Sequence, residues 1–353
     1  MTVPPRTPRD RNPNATELKD DAVLDENVER RGDDEARELR AGEEGFTVKA
    51  RTQRELVLRR FLRHRAAMVA LFFFVAIVVL AVSSIGAGPI PGWWDKSYTQ
   101  TGAVVDGGRP TLDVLPAFVD GDGVGLGEHP FGQDSIGRDY FATTMRGAQQ
   151  SLQIALIVGL VATLVGTVIG SIAGYFGGTV ETVLMRLVDV IIAIPLLVLA
   201  AVVGSSTDGT AAVLGLFLGI VVWTSLSRLV RGEVLSLKER EFVEAARAMG
   251  AGPFRIITRH ILPNTISTII VSATLTIAAA ILLETALSFL GFGVQPPDTS
   301  LGQLISTYQT AFATRPWLFW FPGVFIIGIA LTINFIGDGL RDAFDPRQNK
   351  VRA

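Results

Sequence analysis

The 353-residue chain contains no cysteine, only three histidines and only five lysines, and each scarcity closes off a class of chemistry. Without cysteine there are no disulfides, thiolate metal sites or cysteine nucleophiles. His64, His129 and His260 lie far apart on different segments, which argues against a zinc centre. None of Lys19, Lys49, Lys96, Lys238 and Lys350 sits in the Gly-x4-Gly-Lys-Ser/Thr pattern of a phosphate-binding loop. A Gly-x-Ser-x-Gly nucleophile elbow is missing as well. An enzymatic reading has no residues to rest on, and energy for any work this chain does must come from another chain.

Charge is scarce outside one region. Of 66 charged side chains, 22 fall in the first 50 residues, 13 acidic and 9 basic, leaving 44 for the remaining 303. Residues 1–50 hold too few large apolar groups to offset the entropy of ordering, so they are expected to form a disordered cytoplasmic tail. The remainder is strongly apolar: hydrophobic residues make up 48% of the chain and the mean hydropathy is +0.38. No cleavable signal peptide is legible before the first apolar run near Ala66, so that run is expected to be an anchor.

A membrane crossing takes about 20 apolar residues. Six segments approach this: 66–85, 151–173, 187–206 with Asp189 and Pro195, 210–226, 266–287 with Glu284, and 317–336 with Pro322. The expected architecture is therefore all-α and polytopic, with six transmembrane helices. A basic segment (51–65) flanks the first helix (66–85), a 65-residue extracytoplasmic loop spans 86–150, a core covers 151–340, and a short tail covers 341–353.

Lys and Arg placement sets orientation. Arg51, Arg54, Arg59, Arg60, Arg63 and Arg65 precede the first span, and the loop 227–265 holds Arg228, Arg231, Lys238, Arg240, Arg247, Arg255 and Arg259. Arg341, Arg347, Lys350 and Arg352 end the chain. With six spans these regions share one side, so both termini are expected to face the cytoplasm of a multi-pass plasma (inner) membrane protein. The turn near Asp208 and the loop 86–150, with eight acids against four bases, then face outward.

The cytoplasmic loop contains Glu241-Phe-Val-Glu244-Ala245-Ala246-Arg247-Ala248-Met249-Gly250, then Ala251-Gly252-Pro253, an amphipathic run through Phe254, Ile257 and Ile261, and Leu262-Pro263-Asn264. This reads as a short Ala-rich helix stopped by a left-handed Gly250, then a second helix that ends before Pro263. Small alanines permit close approach of another surface; a loop resting on the lipid interface is the alternative.

The Glu-Ala-Ala, Gly and Leu-Pro-Asn spacing resembles the loop by which importer permeases of the ATP-binding-cassette class engage their ATPases. His129-Pro-Phe-Gly-Gln-Asp134-Ser-Ile-Gly137-Arg138-Asp139, Gly174-Tyr-Phe-Gly177-Gly178, Met185-Arg186-Leu-Val-Asp189, Glu284-Thr-Ala-Leu-Ser288-Phe-Leu-Gly291, Phe321-Pro322-Gly323 and Asn334-Phe-Ile-Gly337-Asp338 extend the match over roughly 55–347. In this order they resemble the dipeptide, oligopeptide and nickel permeases of the DppC/OppC type. The resemblance implies a type I importer permease fold without catalysis. It also implies a second permease subunit, two ATP-binding subunits that hold the ATP and Mg, and an extracytoplasmic substrate-binding protein, with no nucleic acid. Glu241, Glu244, Ala245, Ala246, Arg247, Gly250 and Pro263 would belong to the coupling segment. The solute would be a peptide, with nickel chelates or other small solutes as alternatives. The acidic amino-terminal extension and the lengthened outer loop from about Pro89 to Glu128 depart from the family.

Two carboxylates lie inside spans, where charge is costly. Asp189 is expected to pair with Arg186 three residues away, and Glu284 either to pack or to line a solute path. An ion-coupled secondary transporter using these two acids is the competing class. The segment Gly291–Pro316 is expected to lie outside, either as an ordinary connecting loop or as a surface that receives the solute-binding protein, and Gly132–Asp139 to form a charge-paired turn.

Overall fold

The computed structural model describes residues 53–112, 125–206 and 209–344. The expected tail 1–50, the tip of the turn at Asp208, the last residues of the 341–353 tail and part of the 86–150 loop lie outside the described residues. The chain divides into Met1–Leu56 and Val57–Ala353. Of the first unit only residues 53–56, the start of helix α1 (Gln53–Arg63), are described; all that follows concerns the second.

Helix α2 (Arg65–Ile85) carries no charge after Arg65 and begins where the His64 ring accepts the Ala67 amide at 3.1 Å. It ends at Gly86, φ 78°, which turns the chain into a two-residue hairpin, β1 (Gly86–Ala87) and β2 (Ile90–Pro91). Helix α3 (Tyr140–Phe176) follows, capped by Asp139, whose carboxylate accepts the Ala142 amide at 2.8 Å. Its 37 residues extend about 55 Å at 1.5 Å per residue, well beyond the roughly 30 Å of a bilayer core. Leu156, Leu160, Leu164 and Val168, each four apart, stand exposed along one side, the stripe that a lipid-facing helix shows.

Helices α4 (Gly178–Ala193) and α5 (Leu196–Ser206) form a pair bent by 82°. The break is local chemistry: Pro195 offers no amide, and Ile194 before it takes an extended conformation, φ −83° and ψ 125°. Helices α6 (Ala211–Val222) and α7 (Thr224–Lys238) bend by 42° at Trp223. Next come α8 (Glu241–Ala248), the single turn α9 (Pro253–Ile256), a π turn at Ile257–Ile261 and the long α10 (Leu262–Phe289). Helices α11 (Leu301–Tyr308) and α12 (Trp317–Phe344) complete the chain. Among the described residues four helices are long and apolar enough to cross a membrane, or six if each bent pair is one span.

Three expectations change. The helix after the Ala-rich segment does not end before Pro263: it passes through a π turn, and Pro263 falls at the first turn of α10, where a missing amide costs nothing. The segment 291–316 is no simple loop, because α11 packs into the core through Leu301, Leu304 and Tyr308. Phe254 does not join the buried face of its helix; Ile256 takes that place.

Pro322 sits inside α12. A proline there cannot bond the carbonyl four residues back, that of Leu318. The buried Tyr140 hydroxyl donates to that carbonyl instead, so the start of α3 repairs the defect in α12.

Candidate functional site

The Ala-rich segment becomes a two-turn helix for identifiable reasons. Glu241 and Glu244 occupy the first turn of α8 and Arg247 the last, each sign opposing the helix dipole. At its end the Gly250 amide bonds the Arg247 carbonyl and the Ala251 amide the Ala246 carbonyl, both at 3.0 Å, with Gly250 at φ 83°. That is the Schellman arrangement, which favours glycine at the left-handed position.

One side of α8 is buried and the other is not. Val243 packs into a cluster with Leu226, Val230 and Val234 of α7, Ile256, Ile261 and Ile269, and Ala246 on the same helix is buried as well. Glu241, Glu244, Ala245, Arg247, Gly250 and Pro263 are exposed. Beside them Met249 and Phe254 are 82% and 80% exposed, more than any other large hydrophobic side chain among the described residues. Of the expected coupling residues, only Ala246 is buried.

Helix α7, under α8, is tied in two ways. Gly166, Gly170 and Gly174 of α3 face its backbone so closely that a Cβ on Gly170 would stand 2.5 Å from the Ser227 carbonyl oxygen. Two ion pairs then join α7 to α4: Arg228 meets Asp189 at 2.6 Å, and the Arg231 Nε meets Glu181 at 2.6 Å. The expected Asp189–Arg186 pair is present at 3.9 Å, and Arg228 is a second, closer partner. Spacing along α4 gives Arg186, and the packing of α7 adds Arg228.

Glu284 is fully buried. Its carboxylate accepts from the Ser288 hydroxyl at 2.7 Å and from Ser151 at 3.2 Å. Ser151 accepts the Leu301 amide at 3.1 Å, and Ser288 lies 3.3 Å from Ser300, the residue capping α11. One carboxylate thus joins α3, α10 and α11. Nearby, Asp134 accepts from Arg138 Nε at 2.7 Å and from the Tyr308 hydroxyl at 2.9 Å. Burial and the Asp134 charge push the Tyr308 phenol up to about 12, keeping it a donor. Arg146 grips Asp298 with two bonds, 2.7 and 2.6 Å.

The family described as the binding-protein-dependent transport system inner membrane component matches residues 166–350, and the N-terminal TM domain of oligopeptide transport permease C matches residues 52–96. The chain belongs to this permease family. The oligopeptide transport system permease protein OppC of Mycobacterium tuberculosis is 40% identical over 85% of this chain and 97% of its own length. Escherichia coli OppC is 35% identical over 86% of this chain and 94% of its own. A solved structure of the inward-facing MetNI methionine ABC transporter covers 57% of this chain and 97% of that one, at 22% identity and a TM-score of 0.46.

For this permease, Met249 and Phe254 are the surface residues that motif reasoning passed over. The usable signal was two large apolar side chains on either side of Gly250-Ala251-Gly252-Pro253, in a loop otherwise rich in charge. For Glu284 the geometry yields a prediction. Glu284→Ala removes the acceptor of two buried hydroxyls, each costing about 1–3 kcal/mol when unsatisfied. Thermal unfolding of the purified permease is expected to fall clearly, while Glu284→Gln, which keeps one acceptor oxygen, loses less and still transports. A stable Glu284→Gln protein without uptake would place this side chain in the solute path.

Proposed function

We propose that this chain is the permease half of an ATP-driven peptide importer in the inner membrane, with both termini in the cytoplasm. It works with a second permease subunit, two ATP-binding subunits that hold ATP and Mg, and an extracytoplasmic substrate-binding protein. The observation that carries the reading is the exposed Met249–Phe254 surface on α8 and α9 in a chain with no phosphate-binding loop. Glu241, Glu244, Ala245, Arg247 and Gly250 frame that surface, Ala246 supports it, and Pro263 starts the helix that leads away from it.

The mechanical path follows from the packing. A push on α8 is delivered through Val243 to α7. Helix α7 cannot slide freely over α3, because the glycine seam leaves no slack, and it carries α4 along through Arg228 and Arg231. Interlocked helices move as bodies between discrete arrangements, so ATP-driven closure of the partners would rock the spans and switch access.

The test is purification of the tagged permease from its native membrane, followed by uptake of labelled peptide in reconstituted vesicles. Two P-loop subunits are expected to copurify, and vanadate is expected to stop uptake. Uptake that collapses with an uncoupler but ignores vanadate would replace this reading with ion-coupled transport through Asp189 and Glu284.

A further inference from the structure

A groove of about 670 Å³ runs along the outside of the bundle between α2 and α12. Its walls are Val69, Phe73 and Ile77 on one helix and Val324, Leu331 and Phe335 on the other, with small Ala70 and Gly328 among the lining residues. The only hydroxyl there, on Thr332, is spent on the Gly328 and Ile329 carbonyls at 2.7 and 3.0 Å, so it adds nothing polar. One end is closed by a tight crossing, where a Cβ on Gly339 would stand 2.3 Å from the Ala67 Cβ. Arg65 stands at that same end.

We propose that this groove is a binding site for one anionic phospholipid, with its phosphate on Arg65 and an acyl chain laid toward Ile77. Two independent observations select that occupant. The first is length: from Arg65 to Ile77 is twelve helical steps, about 18 Å, close to the roughly 15 Å of one leaflet's hydrocarbon. The second is charge. Arg59, Arg63 and Arg65 are exposed within seven residues, and no Asp or Glu occurs between Leu56 and Trp94. Helix α12 brings Asp338 and Asp342 to this end together with Arg341, and Asp342 is engaged by His64 at 3.4 Å. The arginines exceed these acids. A phosphate suits guanidinium groups, which bind it through paired hydrogen bonds.

The proposal rests on the chain being a multi-pass membrane protein, and on neither the peptide substrate nor the ATPase partners. It is tested on the full-length permease in mild detergent, titrated with phosphatidylglycerol or phosphatidylcholine of identical acyl chains and read by native mass spectrometry. One phosphatidylglycerol is expected to be retained well above phosphatidylcholine. Arg65→Gln is expected to weaken retention of phosphatidylglycerol alone by about five-fold, the contribution of one interfacial arginine. Gly328→Leu, where an added Cβ meets only Ile77 at 3.4 Å, is expected to weaken both lipids by filling the groove. Equal retention of the two lipids by the unaltered protein would overturn the proposal without recourse to any variant. So would Arg65→Gln and Gly328→Leu proteins that bind like the parent. A single Val69→Cys that cross-links to the second permease subunit would assign the groove to a protein helix instead, with the same result.

Discussion

Gly170→Leu is expected to abolish the folded permease, the largest loss from any single substitution on α3. The reason is backbone proximity. A Cβ at Gly170 would meet the Ser227 carbonyl oxygen at 2.5 Å and the Val230 Cβ at 2.9 Å, and α7 cannot retreat without breaking its neighbouring contacts. Gly166 and Gly174 hold the same seam one turn to either side, where an added Cβ would stand 2.9 Å from the Trp223 oxygen and 2.8 Å from the Val234 Cβ. Membrane helices rely on such small-residue seams because lipid gives them no hydrophobic drive to associate. Overpacking in a close-packed interior costs about 1–3 kcal/mol and occasionally more, and a leucine wedged against backbone belongs at the upper end or beyond. Gly170→Ala should lose less, and Leu164→Ala on the lipid-facing side of the same helix should change stability by no more than about 0.5 kcal/mol. Thermal unfolding followed by size-exclusion of a fluorescent fusion separates the three. A Gly170→Leu protein that elutes and melts like the parent would mean that α3 and α7 do not pack as described.

How much of this was legible in the sequence depends on whether a feature is set locally. The apolar run that became α2 and the left-handed Gly250 follow from neighbouring residues alone, and the structure has both; the single span expected over 187–206 is instead broken by 82° at Pro195. Features set by a distant partner were not legible. The closer partner of Asp189, Arg228, required knowing that α7 lies against α4, whereas the i to i+3 rule gives only Arg186, the more distant one. Pro263 signals a helix stop by local rules, but a preceding π turn absorbs the missing amide. The four-residue spacing of Gly166, Gly170 and Gly174 is visible in the sequence, yet spacing cannot say which helix will lie on it. The segment 291–316 read as loop because its composition is polar, while Leu304 packs into the core and Leu301 and Tyr308 are held there by Ser151 and Asp134, sites more than 140 residues away.

Phe254→Asp and Met249→Asp are expected to leave the permease inserted and stable but to release the ATP-binding subunits and stop uptake. Both side chains are four-fifths exposed, and no helix among the described residues covers them. Replacement at such positions changes stability by no more than about 0.5 kcal/mol. An exposed aromatic beside a braced helix is instead the kind of anchor whose loss costs an interface about 2 kcal/mol or more, roughly 30-fold in affinity. The competing account, in which these two residues rest on the lipid interface, makes a different prediction: an aspartate would then weaken membrane attachment of the loop, and the ATP-binding subunits would still copurify. Arg247, Arg255 and Arg259 flank both residues and suit an anionic lipid surface as well as an acidic protein groove, so charge does not separate the accounts. Shape does. The rigid Schellman turn at Gly250 fixes Met249 relative to Phe254, and a fluid surface gains nothing from a fixed spacing, whereas a preformed groove does. Subunit retention and peptide uptake by the Phe254→Asp permease decide between them, and full retention with normal uptake would remove this surface from the coupling path.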